Sequence, residues 1–273
     1  MKYAMMSDVH SNPLALATAL EDAKALGCGK FVFLGDVTGY GYDVKGALKL
    51  VRENFNVAIL GNHDAISSGL EDSPEIRANS HYDIDREQGA LLSDDEGCWL
   101  RKRRHVYRNR RYGFACTHGD FVAPSEWGYI MDTADAESNF RSTEEQMLFC
   151  GHLHHAMVFE GSGDGQVKML LEDKLENPPR AAESVAFRPA EGHRYIVNCG
   201  SVGNPRFDLC STYAIYDTAS REVQIRRLPF DFKGFTLAMV RMHVPLPAWL
   251  VQLLHVARGV CRGNDPRGSD ANT

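Results

Sequence analysis

The sequence lacks several features that would settle its class at once. No Cys-x-x-Cys pair occurs among its seven cysteines, Cys28, Cys98, Cys116, Cys150, Cys199, Cys210 and Cys261. An odd, scattered set, with Cys116 and Cys150 inside apolar runs, argues against a disulfide framework. It points to small buried thiols in a reducing cytoplasm. No apolar run approaches the ~20 residues of a membrane span. The opening Met1–Met6 is too short for a secretory signal, so a cytoplasmic location without a membrane partner is expected. Positive charge is in deficit, with 30 Lys and Arg against 36 Asp and Glu, which argues against a nucleic-acid partner. The one basic run, Arg101-Lys102-Arg103-Arg104 followed by Arg108, Arg110 and Arg111, reads as a solvated edge. No segment repeats.

What the chain does have is a series of short apolar runs, each closed by polar residues. Tyr3–Met6 reads as a strand ending at Ser7-Asp8-Val9-His10. Asn12 caps a helix with Pro13 in its first turn and Leu14, Ala17, Leu20, Ala23 and Leu26 as its apolar positions. Phe31–Leu34 is a second strand, ending at Gly35-Asp36. Asp43 caps a second helix with Val44, Ala47, Leu48 and Val51 inward. Val57–Leu60 is a third strand, ending at Gly61-Asn62-His63-Asp64. This alternation implies a parallel sheet with right-handed crossovers. From Ala65 to Arg111 the pattern is helical and charged, with a Ser93/Glu96 capping box. Gly113–Cys116 ends at Thr117-His118-Gly119-Asp120, Asp132 caps a short helix, and Met147–Cys150 ends at Gly151-His152-Leu153-His154-His155. Beyond this point a hairpin around Gly161–Gly165, a loop from Pro178-Pro179 onward, and strands at 195–197, 213–216 and 222–228 predict a second, mostly antiparallel sheet.

Ligands of parallel sheets bind beyond the carboxyl ends of the strands. The five run ends carry Asp8, His10, Asp36, Asn62, His63, Asp64, His118, His152 and His154. Carboxylates, an amide carbonyl and imidazoles, with no thiolate, suit Mn, Fe, Zn, Ni or Co. The set is too large for one tetrahedral ion, and Asp36, alone on its strand, is placed to bridge two. Such a pair can activate a hydroxide and bind phosphoryl oxygens.

In order, the blocks D-x-H, G-D, G-N-H-D, H-G and G-H-x-H resemble the calcineurin-like metallophosphoesterase superfamily over residues 1–230. The resemblance implies a four-layer α/β-β/α sandwich of two facing mixed sheets. It implies one divalent ion on Asp8, His10, Asp36 and His154 and a second on Asp36, Asn62, His118 and His152, with Mn the first choice. His63, oriented by Asp64, is the implied catalytic pair. Gly35–Gly41 and Gly200–Arg206 resemble the small prokaryotic phosphodiesterases and dinucleoside polyphosphate hydrolases of the superfamily. Gly39-Tyr40-Gly41 replaces the G-D-x-x-D-R-G continuation of the Ser/Thr protein phosphatases and disfavours that activity.

Expected partners are therefore small phosphorylated substrates, nucleotides among them, with Arg206 and Tyr40 as substrate contacts. Loops 37–45, 65–90 and 121–131 are expected to select among monoesters, diesters and dinucleoside polyphosphates. Tyr40 and Tyr42 can equally stack on a base or pack a loop. His155 is read as outside the ligand set. Ala156 excludes the HxHxDH metallo-β-lactamase pattern, and the D-x-H and G-H-x-H blocks do not fit an HD phosphohydrolase. The alternatives are a phosphomonoesterase or protein phosphatase of the same superfamily, or a non-catalytic metal-binding scaffold, though no ligand position is lost. The expected organisation is a catalytic domain over 1–242, an amphipathic helix over 243–261 marked by Trp249 and Leu250, and a disordered tail over 262–273.

Overall fold

The computed structural model describes residues 1–172, 179–206 and 208–254. These residues belong to two compact units, Met1–Asp231 and the segment from Phe232 onward.

The first unit begins β1 (Lys2–Met6), α1 (Pro13–Ala25), β2 (Lys30–Phe33), α2 (Val44–Asn54), β3 (Val57–Ala58). Both expected caps form: Asn12 accepts from the amide of Ala15 and Asp43 from that of Gly46. α2 buries Val44, Ala47, Leu48 and Val51, as its spacing predicts. α1 buries Leu20 and Ala23 of the expected stripe, but Leu16 and Ala19 join them in place of Leu14, which is exposed, and Ala17. Steps of three residues drift by about 60° around a helix of 3.6 residues per turn, so a run of them cannot stay on one face. A helical insert follows, with α3 (Asn62–Ser67), α4 (Pro74–Ala78), α5 (Asp83–Leu91) and α6 (Asp94–Arg101). α6 carries the predicted Ser93/Glu96 capping box. The unit continues with β4 (Val106–Asn109), β5 (Phe114–Thr117), α7 (Thr133–Ser142), β6 (Met147–Cys150), β7 (Ala156–Gly161), β8 (Val167–Glu172), β9 (Glu183–Phe187), β10 (Arg194–Cys199), β11 (Cys210–Asp217) and β12 (Glu222–Pro229).

These strands make two six-stranded mixed sheets, β3-β2-β1-β11-β12-β9 and β4-β5-β6-β10-β7-β8. The division differs from the one expected. β5 and β6 leave the first three strands for the other sheet, and the later strands are shared between both: β10 pairs parallel with β6, while β11 pairs antiparallel with β1. The segment expected to be a loop after Pro179 contains the edge strand β9. A run of apolar residues says that a strand is buried on both faces, and it does not say beside which neighbour.

Alternation along each strand builds the layers. Tyr3 and Met5 of β1, Phe114 and Cys116 of β5, and Tyr195 and Val197 of β10 meet between the sheets. Ala4 and Met6 point the other way, onto Leu16, Ala19, Ala47 and Leu48 of α1 and α2. Ala115, Leu148 and Ile196 point outward onto Ala136 and Phe140 of α7. The result is an α/β-β/α sandwich of two facing mixed sheets.

In the second unit, α8 (Phe232–Arg241) was not anticipated from sequence, and it lies within the 1–242 span expected to be a single domain. Pro245 and Pro247 follow, and residues 248–254 are helical. Trp249 meets the rings of Phe232 and Phe235 at centroid distances of 6.2 and 6.5 Å. The rest of the amphipathic helix expected over 243–261, and the tail 262–273, lie outside the described residues. No helix among the described residues is long and apolar enough to cross a membrane.

Candidate metal centre

The loops that follow β1, β2, β5 and β6 meet at one rim. Their main chains are laced together: the Asp8 amide donates to the Gly35 carbonyl at 3.0 Å, the His10 amide to that of Asp36 at 3.0 Å, and the Gly151 amide to that of His118 at 2.9 Å. Five of the polar residues here sit in the left-handed region, Asp8 (φ +56°), His10 (+45°), Asp36 (+62°), His152 (+67°) and His154 (+62°). Such a conformation costs a non-glycine residue roughly 1–3 kcal/mol, and it persists where surrounding structure over-determines it. Crowding fixes Gly61 as well: an added Cβ would lie 2.0 Å from Asp36 Oδ1.

The side chains converge as tightly. His10 Nε2 and His154 Nε2 are 3.0 Å apart, and Asp8 Oδ1 is 3.2 Å from the latter. His118 Nε2 lies 3.1 Å from Asp36 Oδ2 and 3.2 Å from Asn62 Oδ1. His10 Nε2 joins the two clusters, 3.8 Å from Asp36 Oδ2. Three overlapping groups have ligand atoms within 4.8 Å of one another: Asp8, His10 and His154; Asp36, His118 and His152; and His10, Asp36 and His63.

The second contacts of the imidazoles decide what these atoms can do. Nδ1 of His10 faces the Thr38 carbonyl at 2.8 Å, Nδ1 of His118 the Leu34 carbonyl at 2.8 Å, and Nδ1 of His154 the Asn204 carbonyl at 2.7 Å. A carbonyl only accepts, so Nδ1 must carry the proton, and in each neutral ring the Nε2 lone pair is turned inward. Asp8 Oδ1 and Asp36 Oδ2 are buried without a hydrogen-bond partner. The imidazoles beside them are near enough for ion pairs, but their alignment falls short of hydrogen bonds. Unprotonated, these buried acceptors aimed at one another are repulsive until a proton or a metal cation enters, so the donor set fits divalent metal.

The electrostatics agree. Burial opposes ionisation of Asp8 and Asp36, yet the surrounding imidazoles hold both carboxyls below the usual carboxylate range. Burial pushes His10 and His152 down to about 3, keeping both rings neutral. His118 is the exception: burial lowers it, but the Asp36 charge outweighs burial and lifts it to about 9. Without metal His118 holds a proton, which an incoming cation must expel.

The resemblance assigns Asp64 to orient His63, and here the structure corrects the sequence reading. Asp64 turns away, accepting from the amides of Asp36 (2.8 Å), Val37 (2.9 Å) and Thr38 (3.1 Å), and from that of Gly61 (3.2 Å). It therefore shapes the loop that carries Asp36. His63 Nδ1 is instead 2.8 Å from Asp85 Oδ1, on α5. Beside this pair opens a cavity of about 240 Å³. Its lining includes Tyr40, His81, Tyr82, Trp127, Tyr129 and Arg206. The Arg206 guanidinium lies 4.7 Å over the Tyr40 ring, and Tyr129 stacks on His152 at 4.2 Å. His155 leaves the cluster and pairs with Asp208.

Residues 1–221 match the family model of the calcineurin-like phosphoesterase superfamily domain. The chain belongs to this superfamily. A curated relative, the uncharacterized protein MJ0912 of Methanocaldococcus jannaschii, is 27% identical over 274 residues, covering 93% of this chain and 98% of its own. Among solved structures, a metallophosphoesterase from Sphaerobacter thermophilus is 25% identical with a TM-score of 0.74, over 93% of this chain and 99% of that one. Hypothetical protein PH1004 from Pyrococcus horikoshii OT3 shares the fold at 18% identity, with a TM-score of 0.66, over 93% and 97% of the two chains.

Superfamily members are phosphoester hydrolases that depend on divalent metal. In this calcineurin-like phosphoesterase the structure gathers Asp8, His10, Asp36, Asn62, His63, His118, His152 and His154 at the rim, while Asp64 lies behind it. Arg206 and Tyr40 line the cavity. Asp85, His81, Tyr82, Trp127 and Tyr129 were not singled out from sequence. They come from the 65–90 and 121–131 loops, and a lone carboxylate in a charged helix carries no signal that it faces inward.

Proposed function

We propose that the protein is a binuclear metal-dependent phosphoesterase, cytoplasmic, acting on small phosphodiesters or nucleotide-type esters. One observation carries the reading: three imidazoles with Nδ1 committed to carbonyls turn Nε2 toward two buried, unpartnered carboxylate oxygens. Asp8, His10, Asp36 and His154 would hold one ion, and Asp36, Asn62, His118 and His152 the other, with Mn preferred. Such a pair supplies a Lewis acid for the phosphoryl oxygens and lowers the pKa of bound water.

The remaining work falls to the chain. Asp64 fixes the loop that presents Asp36, so the two clusters keep their spacing. Arg206 offers a guanidinium to phosphate oxygens, and Tyr40 flanks it. Burial pushes the Tyr40 phenol up to about 12, so it stays neutral and donates. His63 gives a proton to the departing ester oxygen. Its burial favours the neutral ring, but Asp85 and Asp36 outweigh that and raise its pKa, which suits a proton donor near neutrality. The cavity of about 240 Å³ supports a small ester held mainly by its phosphoryl end. The free thiols of Cys28, Cys98, Cys116, Cys150 and Cys199 support a reducing compartment.

The test is a screen of Mn²⁺-loaded protein against bis-p-nitrophenyl phosphate, nucleotides and dinucleoside polyphosphates. Turnover that stops on chelation and returns with Mn²⁺ is expected. Turnover that survives complete metal removal at neutral pH contradicts the proposal.

A further inference from the structure

We infer that Asp85 is the positioning residue of the reaction, holding His63 by Nδ1 so that Nε2 addresses the departing oxygen. The inference rests on the phosphoesterase reading above and goes beyond it in naming the partner and its source. Both side chains are buried, and their nitrogen and oxygen are 2.8 Å apart. A carboxylate only accepts, so Nδ1 donates and Nε2 is the ring atom left for substrate. Asp85 Oδ2 is buried without a partner, so the carboxylate makes no other hydrogen bond that would account for it as scaffolding.

The helix beneath is fixed independently. One turn on, Gln88 Oε1 accepts from Ser11 Oγ at 2.7 Å and from the Gly39 amide at 2.8 Å, while Gln88 Nε2 donates to the Gly41 carbonyl at 3.0 Å. Gly89 lets α5 approach α3, the helix that carries His63; a Cβ there would lie 2.3 Å from the Ser67 carbonyl oxygen. An insert that looks peripheral in sequence thus sets the orientation of the proton donor. In the step itself the bond from phosphorus to the ester oxygen breaks as a water oxygen bonds to phosphorus. The departing oxygen takes the Nε2 proton, leaving a neutral imidazole still protonated at Nδ1, while one proton of the attacking water stays on the product phosphate and the other is released to solvent.

Two measurements test this. The first needs no turnover: ¹⁵N-histidine spectra of Zn²⁺-loaded wild type, with His63 assigned through His63→Asn, should show a proton on Nδ1 that Asp85→Asn perturbs. A bare His63 Nδ1 in the wild type overturns the inference, even if Asp85→Asn misfolds. The second compares p-nitrophenyl methyl phosphate with phenyl methyl phosphate, whose leaving oxygen is more basic. Asp85→Asn should lower kcat on the order of 10²-fold for the phenyl ester and much less for the p-nitrophenyl ester. Bound metal should stay at the wild-type amount, and the double variant should be no slower than His63→Asn. Equal losses on both esters, additive losses or loss of metal would each overturn it. A wild type inactive on every ester counts against the phosphoesterase reading alone, and the spectra still decide the role of Asp85.

Discussion

The metal rim and the wall beside it, where His63 and Tyr40 adjoin His10, share one cavity and are built in different ways. At the rim, His10, His118 and His154 are each held by a main-chain carbonyl, and the loops that carry them are tied to one another by main-chain bonds. At the wall, side chain holds side chain: Asp85 holds His63, and Tyr40 Oη meets His81 Nε2 at 2.7 Å. Backbone partners are supplied by any sequence that makes the strands, so the rim needs only short motifs at strand ends. Side-chain partners must be encoded one by one, and the wall can vary while the rim stays fixed. Metal chemistry belongs to the first region, and proton delivery and substrate choice to the second.

The largest expected effect comes from breaking the rim where its two clusters join. Asp36→Ala removes the carboxylate shared by His10 and His118, and turnover should fall below detection together with metal content by elemental analysis. Retained metal with lost turnover would transfer Asp36 to the chemical step and blur the division.

Acid should act on the rim first as well. In the metal-free chain His10 and His152 titrate near 3 when folded, against about 6.5 unfolded. The unfolded state then binds more protons, so their contribution is complete above 6.5 and is lost as pH falls toward 3. His118 has the opposite sign: lifted to about 9, it stabilises below 6.5 and that share is lost as pH rises through 9. Urea midpoints of metal-free protein should therefore decline on both sides, and a flat profile would contradict the burial of neutral imidazoles.

At the wall the effects are smaller and fall on binding. Arg206→Ala should raise KM roughly tenfold with kcat nearly kept, as expected for one charge-assisted contact made equally in ground and transition states. A kcat loss without a KM change would place Arg206 with the chemistry. Smallest of all is Arg108→Ala, remote from both regions. Its pair with Glu145 is solvent-accessible, so stability should change by less than about 1 kcal/mol and turnover should not move.

The same contrast explains what could be read from the sequence. Asp8, His10, Asp36, Asn62, His118, His152 and His154 were visible because each closes an apolar run, where polar residues need a reason. The caps at Asn12, Asp43, Ser93 and Asp132 were visible because capping is local chemistry. The sharing of strands between sheets was not, since β6 and β10 lie far apart in sequence and their pairing depends on the whole sandwich. Asp64 misled because adjacency in sequence suggested contact with His63, whereas at the start of α3 its carboxylate turns back to the loop amides. Asp85 was hidden among the charged residues of α5, where only tertiary packing distinguishes a buried carboxylate from a solvated one.

The claim that the rim cages two ions is tested most directly by anomalous diffraction from Mn²⁺-soaked crystals. Two peaks roughly 3.5–4 Å apart are predicted, with Asp36 shared between them, Asp8, His10 and His154 on one side and Asn62, His118 and His152 on the other. A single peak held by His10, Asp36 and His63, or none at the rim, would contradict the account.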